Sequence, residues 1–149
     1  MDVKEVLKKE NIASNLVAAT KEEALEKLTE LLYSNGTVSD KKAFLTDVLE
    51  REKISTTGIG NGIAIPHGKS PSVAETGVAI GRLEKNVEWE SVDDKPVELI
   101  VLLAVNGADS TGNHVRLLSQ MARKLASADN CKRLIEAKNA DEIISIFSE

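Results

Sequence analysis

An almost unbroken apolar run, Val97–Val105, dominates the second half of the sequence. It is too short to cross a bilayer, because a membrane-spanning helix needs about 18 or more consecutive apolar residues. A strand that carries apolar side chains in both directions is typical of a sheet buried on both faces. We therefore expect this run to be the central strand of a sheet with helices on either side.

The remaining sequence predicts helices and further strands around that centre. Thr20 and Glu23 form a capping box that starts an amphipathic helix, and Gly36 ends it. Later helices are predicted to begin with caps at Ser39, Asp129 and Asn139. One more follows the loop at 106–112, with a buried stripe made of Val115, Leu117, Leu118, Met121, Ala122 and Leu125.

Strands are predicted at 11–17, 77–83 and 87–89, and a weakly supported short helix lies within residues 1–10. Together these elements predict a single domain over residues 1–149 of the α/β class. We expect a mixed, mostly parallel β-sheet sandwiched by α-helices in an α/β/α arrangement.

Composition excludes several classes of protein. The formal net charge of −5 argues against a general nucleic-acid binder. The N-terminal residues are charged and lack the apolar core of a signal peptide, and no segment is long enough to enter a membrane. Cys131 is the only cysteine, so no internal disulfide forms, and we expect it to be a buried structural residue. These observations predict a cytoplasmic protein that neither inserts into membranes nor binds nucleic acid.

Common cofactor and nucleophile motifs are missing from the sequence. The glycines at 58, 60 and 62 lack the spacing of a dinucleotide-binding loop, and neither a P-loop nor a Gly-x-Ser-x-Gly elbow occurs. Two distant histidines and one cysteine are poor support for a zinc site. We therefore expect no metal and no cofactor, and we expect Trp89 to pack in the core or at an edge.

The segment Thr57–Lys69 combines three glycines, a short apolar run and the sequence Pro66-His67-Gly68. We interpret it as a loop leading into a brief strand that ends on an exposed His67. Pro66 restricts the backbone and Gly68 removes bulk, so the imidazole is held rigidly where a partner can reach it. We also expect the glycines to let protein surfaces approach His67. A neutral imidazole near pH 7 is a competent nucleophile.

Two further residues are candidates for the same site. His114 is predicted at the start of a helix, where free N–H groups favour an anion. Arg51 precedes the glycine segment, and its guanidinium suits phosphate oxygens. If the fold brings them to His67, the three residues make a phosphate-sized anion site. Each also has a simpler interpretation: a surface histidine for His67, a helix-start residue for His114, and a helix C-terminal residue for Arg51.

The sequence from Arg51 to Gly68 reads Arg-Glu-x-x-x-Thr-Thr-Gly-Ile-Gly-Asn-Gly-Ile-Ala-Ile-Pro-His-Gly. It resembles the signature of the fructose/mannitol-type enzyme IIA of the bacterial phosphoenolpyruvate:sugar phosphotransferase system. The block His114–Ser119 is similar to that family's second histidine at the head of a helix. The resemblance extends over nearly the whole chain, since the order and length of its elements also fit a IIA domain.

The resemblance implies a phosphoryl relay. His67 would accept the phosphoryl group from the histidine-containing phosphocarrier protein and pass it to a cysteine of a IIB domain, which phosphorylates the sugar entering through a membrane IIC. His114 would stabilise the phosphorylated state or orient His67, and Arg51 would neutralise phosphate charge. No metal or cofactor is needed for such transfer. Because the sequence has no IIB-like cysteine motif, we expect IIB and IIC on separate polypeptides.

Two alternatives stay open. One is a regulatory module like the nitrogen-related IIA proteins, in which phosphorylation controls protein binding and no sugar is phosphorylated. The other is a non-catalytic domain in which the glycine segment only makes a tight turn. The sequence does not choose among fructose, mannitol and other polyols, because the partner subunits recognise the sugar.

Overall fold

We describe the protein from a computed structural model, which covers residues 2–109 and 112–149. The predicted domain includes Met1, and the predicted loop before His114 includes Thr111. Both residues lie outside the part of the chain that the structure describes. The helices are α1 (Val3–Val6), α2 (Lys21–Ser34), α3 (Lys41–Glu52), α4 (Asn113–Leu125), α5 (Ala128–Ile135) and α6 (Ala140–Ser148). The strands are β1 (Ile12–Leu16), β2 (Gly58–Gly60), β3 (Ile63–Ala64), β4 (His67–Ser70), β5 (Gly77–Val87) and β6 (Val97–Asn106).

The apolar run forms β6 at the centre of the sheet, as predicted. The strand order is β1-β5-β6-β3-β2, and β4 also pairs with β6. The pairs β1–β5, β3–β6 and β4–β6 are parallel, while β5–β6 and β2–β3 are antiparallel. The prediction of a mixed, mostly parallel sheet is therefore confirmed.

The strands β3 and β4 lie end to end along one edge of β6. Ile63 pairs with Leu99, and four residues later His67 pairs with Leu103. The register is thus continuous across Ile65 and Pro66, which interrupt the ladder. Pro66 has no N–H to donate, but its carbonyl accepts a hydrogen bond of 3.0 Å from the N–H of Leu103.

Helices cover both faces of the sheet, which confirms the α/β/α arrangement. One face packs against α2 and α3 through residues such as Leu28, Phe44 and Val48. The other face packs against α1, α4, α5 and α6 through residues such as Val6, Leu117, Leu134 and Ile143. Apolar burial on both sides is the main stabilising contribution and holds the ends of α3, α4 and β4 in place.

Two of the predicted helix caps are confirmed and two are wrong. The side chains of Thr20 and Asn139 accept hydrogen bonds from their own first turns. Helix α3 is capped by Asp40 in place of Ser39, whose hydroxyl donates to the carbonyl of Ser72 at 3.0 Å. Helix α5 is capped by Ser127, two residues before Asp129, which lies in its first turn. Neighbouring polar residues compete for the cap, and backbone direction decides which side chain reaches the free N–H groups.

Two further details differ from expectation. The short strand predicted at 87–89 is not separate, because β5 continues to Val87 and Trp89 is buried beyond its end. Within the predicted stripe of α4, Val115 and Ala122 are exposed while Leu117, Met121 and Leu125 are buried. Val115 is exposed because the first turn of α4 lies beside a cleft, so the buried face is narrower than the apolar pattern.

Candidate functional site

Arg51 and His67 contact each other directly. Arg51 is the next-to-last residue of α3, and its Nε donates a hydrogen bond of 3.1 Å to Nε2 of His67. A second guanidinium nitrogen, Nη1, donates to the carbonyl and the hydroxyl of Ser55 at 3.2 and 3.3 Å. Since arginine only donates, Nε2 of His67 presents its lone pair, and the neutral ring carries its proton on Nδ1.

His67 begins β4; the prediction that it ends a strand is wrong. Alternation along β3 and β4 places its ring on the same face as Ile63 and Ile65, which pack with α4. Because α3 packs on the opposite face of the sheet, the Arg51 side chain extends past the edge of the sheet to contact His67. The N–H of Ile65 donates to the carbonyl of Thr57 at 2.9 Å, which fixes the backbone just before Pro66.

The ring of His67 is half-buried, in place of the exposed position expected from sequence. Nδ1 is buried and has no hydrogen-bond partner among the described residues, whereas Nε2 meets Arg51 in the cleft. Nε2 is thus the nitrogen placed to react. The sequence did not indicate this difference, because no local motif shows which ring edge the neighbouring strands cover.

The surroundings lower the pKa of His67. Burial has the largest effect, followed by the positive charge of Arg51, and His114 adds a small effect in the same direction. The backbone of Ile65 and the carboxylate of Glu52 act in the opposite direction. The carbonyl of Ile65 favours the protonated form of His67, although its position does not meet the geometric criteria of a hydrogen bond. The imidazole is therefore neutral at pH 7 and keeps a lone pair for nucleophilic attack.

Two of the glycines near His67, Gly58 and Gly68, serve internal packing, while the expectation that the glycines let partners approach His67 stays a prediction. A Cβ on Gly68 would lie 2.7 Å from Cγ2 of Val48, so α3 packs directly on the backbone of β4. A Cβ on Gly58 would lie 2.8 Å from Cα of Ser91. Gly68 thus permits the close approach of α3 to β4, which brings Arg51 to His67, and Gly58 permits close approach of the chain at Ser91.

His114 lines the same cleft as Arg51 and His67, so the predicted convergence of the three residues is present. It is the second residue of α4, which begins after Gly112 in the left-handed conformation (φ 77°). Its Nδ1 lies 3.2 Å from Oδ2 of Asp109, a contact that fixes the orientation of the ring. The helix N-terminus adds a positive electrostatic potential to the cleft.

Sequence reasoning missed Lys69, which lines the cleft, and Asp109, which contacts both Lys69 and His114. Lys69 follows His67 by two positions in β4 and so lies on the same face of the strand. Its Nζ donates to the carbonyl of Asp109 at 3.1 Å, which ties β4 to the loop before α4. Strand alternation could have indicated Lys69, but no motif singled out Asp109.

The cleft mixes charges with exposed apolar side chains. Ile54, which precedes His67 in the sequence, is 78% exposed, and Val115, which follows it, is 56% exposed. Their presence beside a reactive imidazole suits contact with another protein. Among the residues that the structure describes, the cleft is lined by Asp47, Glu50, Arg51, Lys53, Ile54, His67, Lys69, Leu103, Val105, His114, Val115 and Leu118.

The other polar candidates lie away from this chemistry. Cys131 is buried in α5, and burial raises the pKa of its thiol, so it does not act as a nucleophile. Within residues 2–109 and 112–149, no group of three or more His, Cys, Asp or Glu side chains is placed to hold a metal ion. Over the same ranges, no helix has both the length and the apolar character needed to cross a membrane.

Comparison with known families identifies a match over nearly the whole chain. Residues 5–149 match the family model described as "Phosphoenolpyruvate-dependent sugar phosphotransferase system, EIIA 2". The fructose-specific EIIABC component of the PTS system of Bacillus subtilis is 36% identical over all of this chain, which spans 23% of that protein. The fructose-specific EIIA component of Haloferax volcanii is 34% identical over 99% of this chain and 96% of its own length.

Solved structures with the same fold include a nitrogen regulatory protein and an enzyme IIA. The nitrogen regulatory protein IIA-Ntr from Neisseria meningitidis superposes with a TM-score of 0.89 and is 29% identical, covering 97% of this chain and 98% of its own. Enzyme IIAMTL, in its complex with phosphorylated enzyme IIBMTL from Escherichia coli, gives a TM-score of 0.81 and 27% identity. That match covers 95% of this chain and 96% of the other, so the α/β/α fold is shared over its length.

Proposed function

This chain belongs to the EIIA 2 family of the phosphoenolpyruvate-dependent sugar phosphotransferase system, and we propose that it is a phosphoryl relay with His67 as the acceptor. The observation that carries the proposal is the hydrogen bond from Arg51 Nε to His67 Nε2. In this arrangement the lone pair of His67 Nε2 lies at the surface of the cleft, with the Arg51 guanidinium beside it. We further propose that residues 1–149 act as one IIA unit in the cytoplasm.

In the transfer step, Nε2 attacks the phosphorus of a phosphohistidine on the histidine-containing phosphocarrier protein. The new N–P bond forms as the donor N–P bond breaks, and the donor imidazole keeps the electron pair. Arg51 releases Nε2 and turns its N–H groups to the phosphoryl oxygens. We propose that His114 and Lys69, which line the same cleft, hold the same oxygens, so that catalysis rests on positioning and charge.

We propose that the phosphoryl group then moves to a cysteine of a IIB domain and from there to a sugar entering through a membrane IIC. Two observations support this direction. Both relatives described above are named fructose-specific, and the IIAMTL structure was determined together with phosphorylated IIBMTL. Fructose is therefore the first sugar to test.

The test is transfer of labelled phosphoryl from phosphoenolpyruvate through the upstream kinase and the phosphocarrier protein. We expect an acid-labile phosphohistidine in the wild type and in His114→Ala, and none in His67→Ala. Unchanged labelling of a folded His67→Ala protein would refute the assignment of His67. A wild-type protein that takes no label from any phosphocarrier protein would refute the relay itself.

A second candidate function is regulatory. The TM-score of 0.89 with IIA-Ntr favours it, because that value exceeds the 0.81 obtained with IIAMTL. Labelling of His67 is expected under both functions, so the two differ at the next step. Transfer to a IIB protein and formation of a sugar phosphate would support the transport relay. A phosphorylated protein that keeps its label in the presence of IIB proteins and sugar would support regulation.

A further inference from the structure

Glu52 follows Arg51 at the end of α3 but lies in the interior. Arg51 extends into the cleft, whereas Glu52 is only 7% exposed. A buried carboxylate is costly unless charged or hydrogen-bonding groups compensate it. Its partners therefore show what this side chain does.

Two side chains compensate Glu52. The Thr57 hydroxyl donates to Oε1 at 2.6 Å, and Nζ of Lys21 lies 2.7 Å from Oε2. The Lys21 contact is an ion pair by distance and is not aligned as a hydrogen bond. Lys21 also lies over the ring of buried Trp89, 4.7 Å from its centroid, so the ammonium group is held on two sides.

These contacts connect Glu52 to His67 as well as to Arg51. The carbonyl of Thr57 accepts a hydrogen bond of 2.9 Å from the N–H of Ile65. Ile65 is joined to His67 through Pro66, whose φ is fixed by its ring. One carboxylate thus holds the end of the helix that carries Arg51 and, through Thr57, the segment that carries His67.

We propose that Glu52 is a positioning residue for the reaction at His67: its buried carboxylate, bound by Thr57 and Lys21, sets Arg51 and His67 in the relative geometry needed for phosphoryl transfer. The inference rests on the proposed relay function and deepens it. Stability alone is a weak reason for such an arrangement, because a buried ion pair often contributes no more than an apolar pair of the same volume.

Glu52 also affects the proton equilibrium of the reacting ring. Its negative charge favours the protonated form of His67 and so opposes the lowering of the His67 pKa. Replacement by neutral glutamine should therefore lower the pKa of His67 further. The other charged or titratable groups that face His67 or line its cleft are Asp47, Glu50, Arg51 and Lys53 around the end of α3, Lys69 on β4 and His114 on α4.

The principal variant is Glu52→Gln, which keeps the shape of the side chain and an oxygen for Thr57. A matched control is Glu30→Gln, since Glu30 forms an ion pair of 2.8 Å with Lys41 in which both side chains are about half-exposed. We expect Glu52→Gln to reduce kcat for phosphoryl uptake about tenfold, with KM for the phosphocarrier protein within about twofold of wild type. We expect Glu30→Gln to change neither constant.

A second pair of variants keeps the test valid if Glu52→Gln does not fold. Thr57→Val removes only the hydroxyl donor, and Thr57→Ser retains it. The proposal predicts a reduced kcat in Thr57→Val and recovery in Thr57→Ser. Wild-type kcat in folded Glu52→Gln or in folded Thr57→Val would overturn it.

Titration of the His67 imidazole by NMR tests the connection without phosphoryl transfer. We expect a lower pKa for His67 in Glu52→Gln than in wild type and an unchanged value in Glu30→Gln. An unchanged titration in Glu52→Gln would count against the proposal. If the wild type takes no label while Glu52→Gln still shifts the titration, the relay function fails and the connection between Glu52 and His67 stands.

Discussion

Arg51 and His67 are 16 residues apart in the sequence, and their side chains are joined by a hydrogen bond of 3.1 Å. The guanidinium contacts the nitrogen that we expect to react, so it has two consequences before any phosphoryl group arrives. Burial has the largest effect in lowering the pKa of His67, and the guanidinium lowers it further; the guanidinium also fixes the tautomer that leaves Nε2 unprotonated. Each consequence can be tested by replacing Arg51.

We predict that Arg51→Met raises the pKa of His67, because the positive charge that lowers it is removed. The same change should reduce phosphoryl uptake about 100-fold, since the developing charge loses its nearest cation. NMR titration of His67 and label uptake measure the two effects. Arg123→Met, at an exposed position of the same helix as His114, should leave both unchanged. A lower His67 pKa in Arg51→Met would contradict the prediction.

We also predict that His67 contributes to loss of stability in acid. Its pKa is lowered in the folded state, so the unfolded chain binds the proton more readily. The free energy of unfolding should therefore fall as the pH drops through the ordinary histidine pKa of about 6.5 towards the lower folded value. Urea denaturation at about pH 7.5 and about pH 5 should show a smaller loss for His67→Gln than for wild type. Equal losses would contradict the prediction.

At the scale of single elements, the packing of α3 on β4 decides whether Arg51 reaches His67. The two elements touch at Gly68, where a methyl group would lie 2.7 Å from Val48 and 3.2 Å from Phe44. These neighbours are fully buried core side chains and have little room to move.

We predict that Gly68→Ala destabilises the protein by about 1–3 kcal/mol and also slows phosphoryl uptake, because α3 must move away from β4. Urea denaturation and label uptake measure the two effects. The double variant Gly68→Ala/Val48→Ala offers a control, since it removes the methyl group that would clash. We expect its destabilisation to be smaller than the sum of the two single changes. Strict additivity would show that the clash is relieved elsewhere.

At the scale of the whole molecule, the cleft must admit another protein. Ile54 is the most exposed large apolar side chain within residues 2–109 and 112–149, at 78%, and Val115 is on the α4 side of the same cleft. We predict that Ile54→Ser raises KM for the phosphocarrier protein several-fold with little change in kcat or stability, because apolar area at the contact is lost. Val17→Ser, at a 55% exposed position away from the cleft lining, is the control. An equal effect of both changes would argue against docking at this cleft.

The sequence predicted those parts of the molecule that depend on local pattern. Apolar runs and periodicity identified β6, α2 and α4, and the capping residues Thr20 and Asn139 were correct. Apolar patterns report burial, which is why the layers could be predicted from them.

The contacts that complete the site could not be predicted in the same way. Glu52 meets Lys21, and Lys69 meets Asp109, over long separations in sequence. Such polar contacts depend on the final approach of α2, α3, β4 and the loop before α4. Likewise, the burial of Nδ1 and the start of β4 at His67 follow from how β4 pairs with β6.

Because β3 and β4 pair with β6 in one continuous register, the face on which the His67 side chain lies depends on whether its position differs from that of Ile63 by an even or an odd number. Ile63, Ile65 and His67 share one face only because their positions in the sequence differ by even numbers. Inserting or deleting one residue between Ala64 and His67, with the register of β3 retained and β4 shifted by one position along β6, would turn the imidazole towards α3 and place its neighbour in the cleft. Inserting or deleting two residues would leave the His67 side chain on its present face of the sheet. The two residues Ile65 and Pro66 are therefore a connection whose length, as well as its composition, is restricted by the position of the reactive side chain.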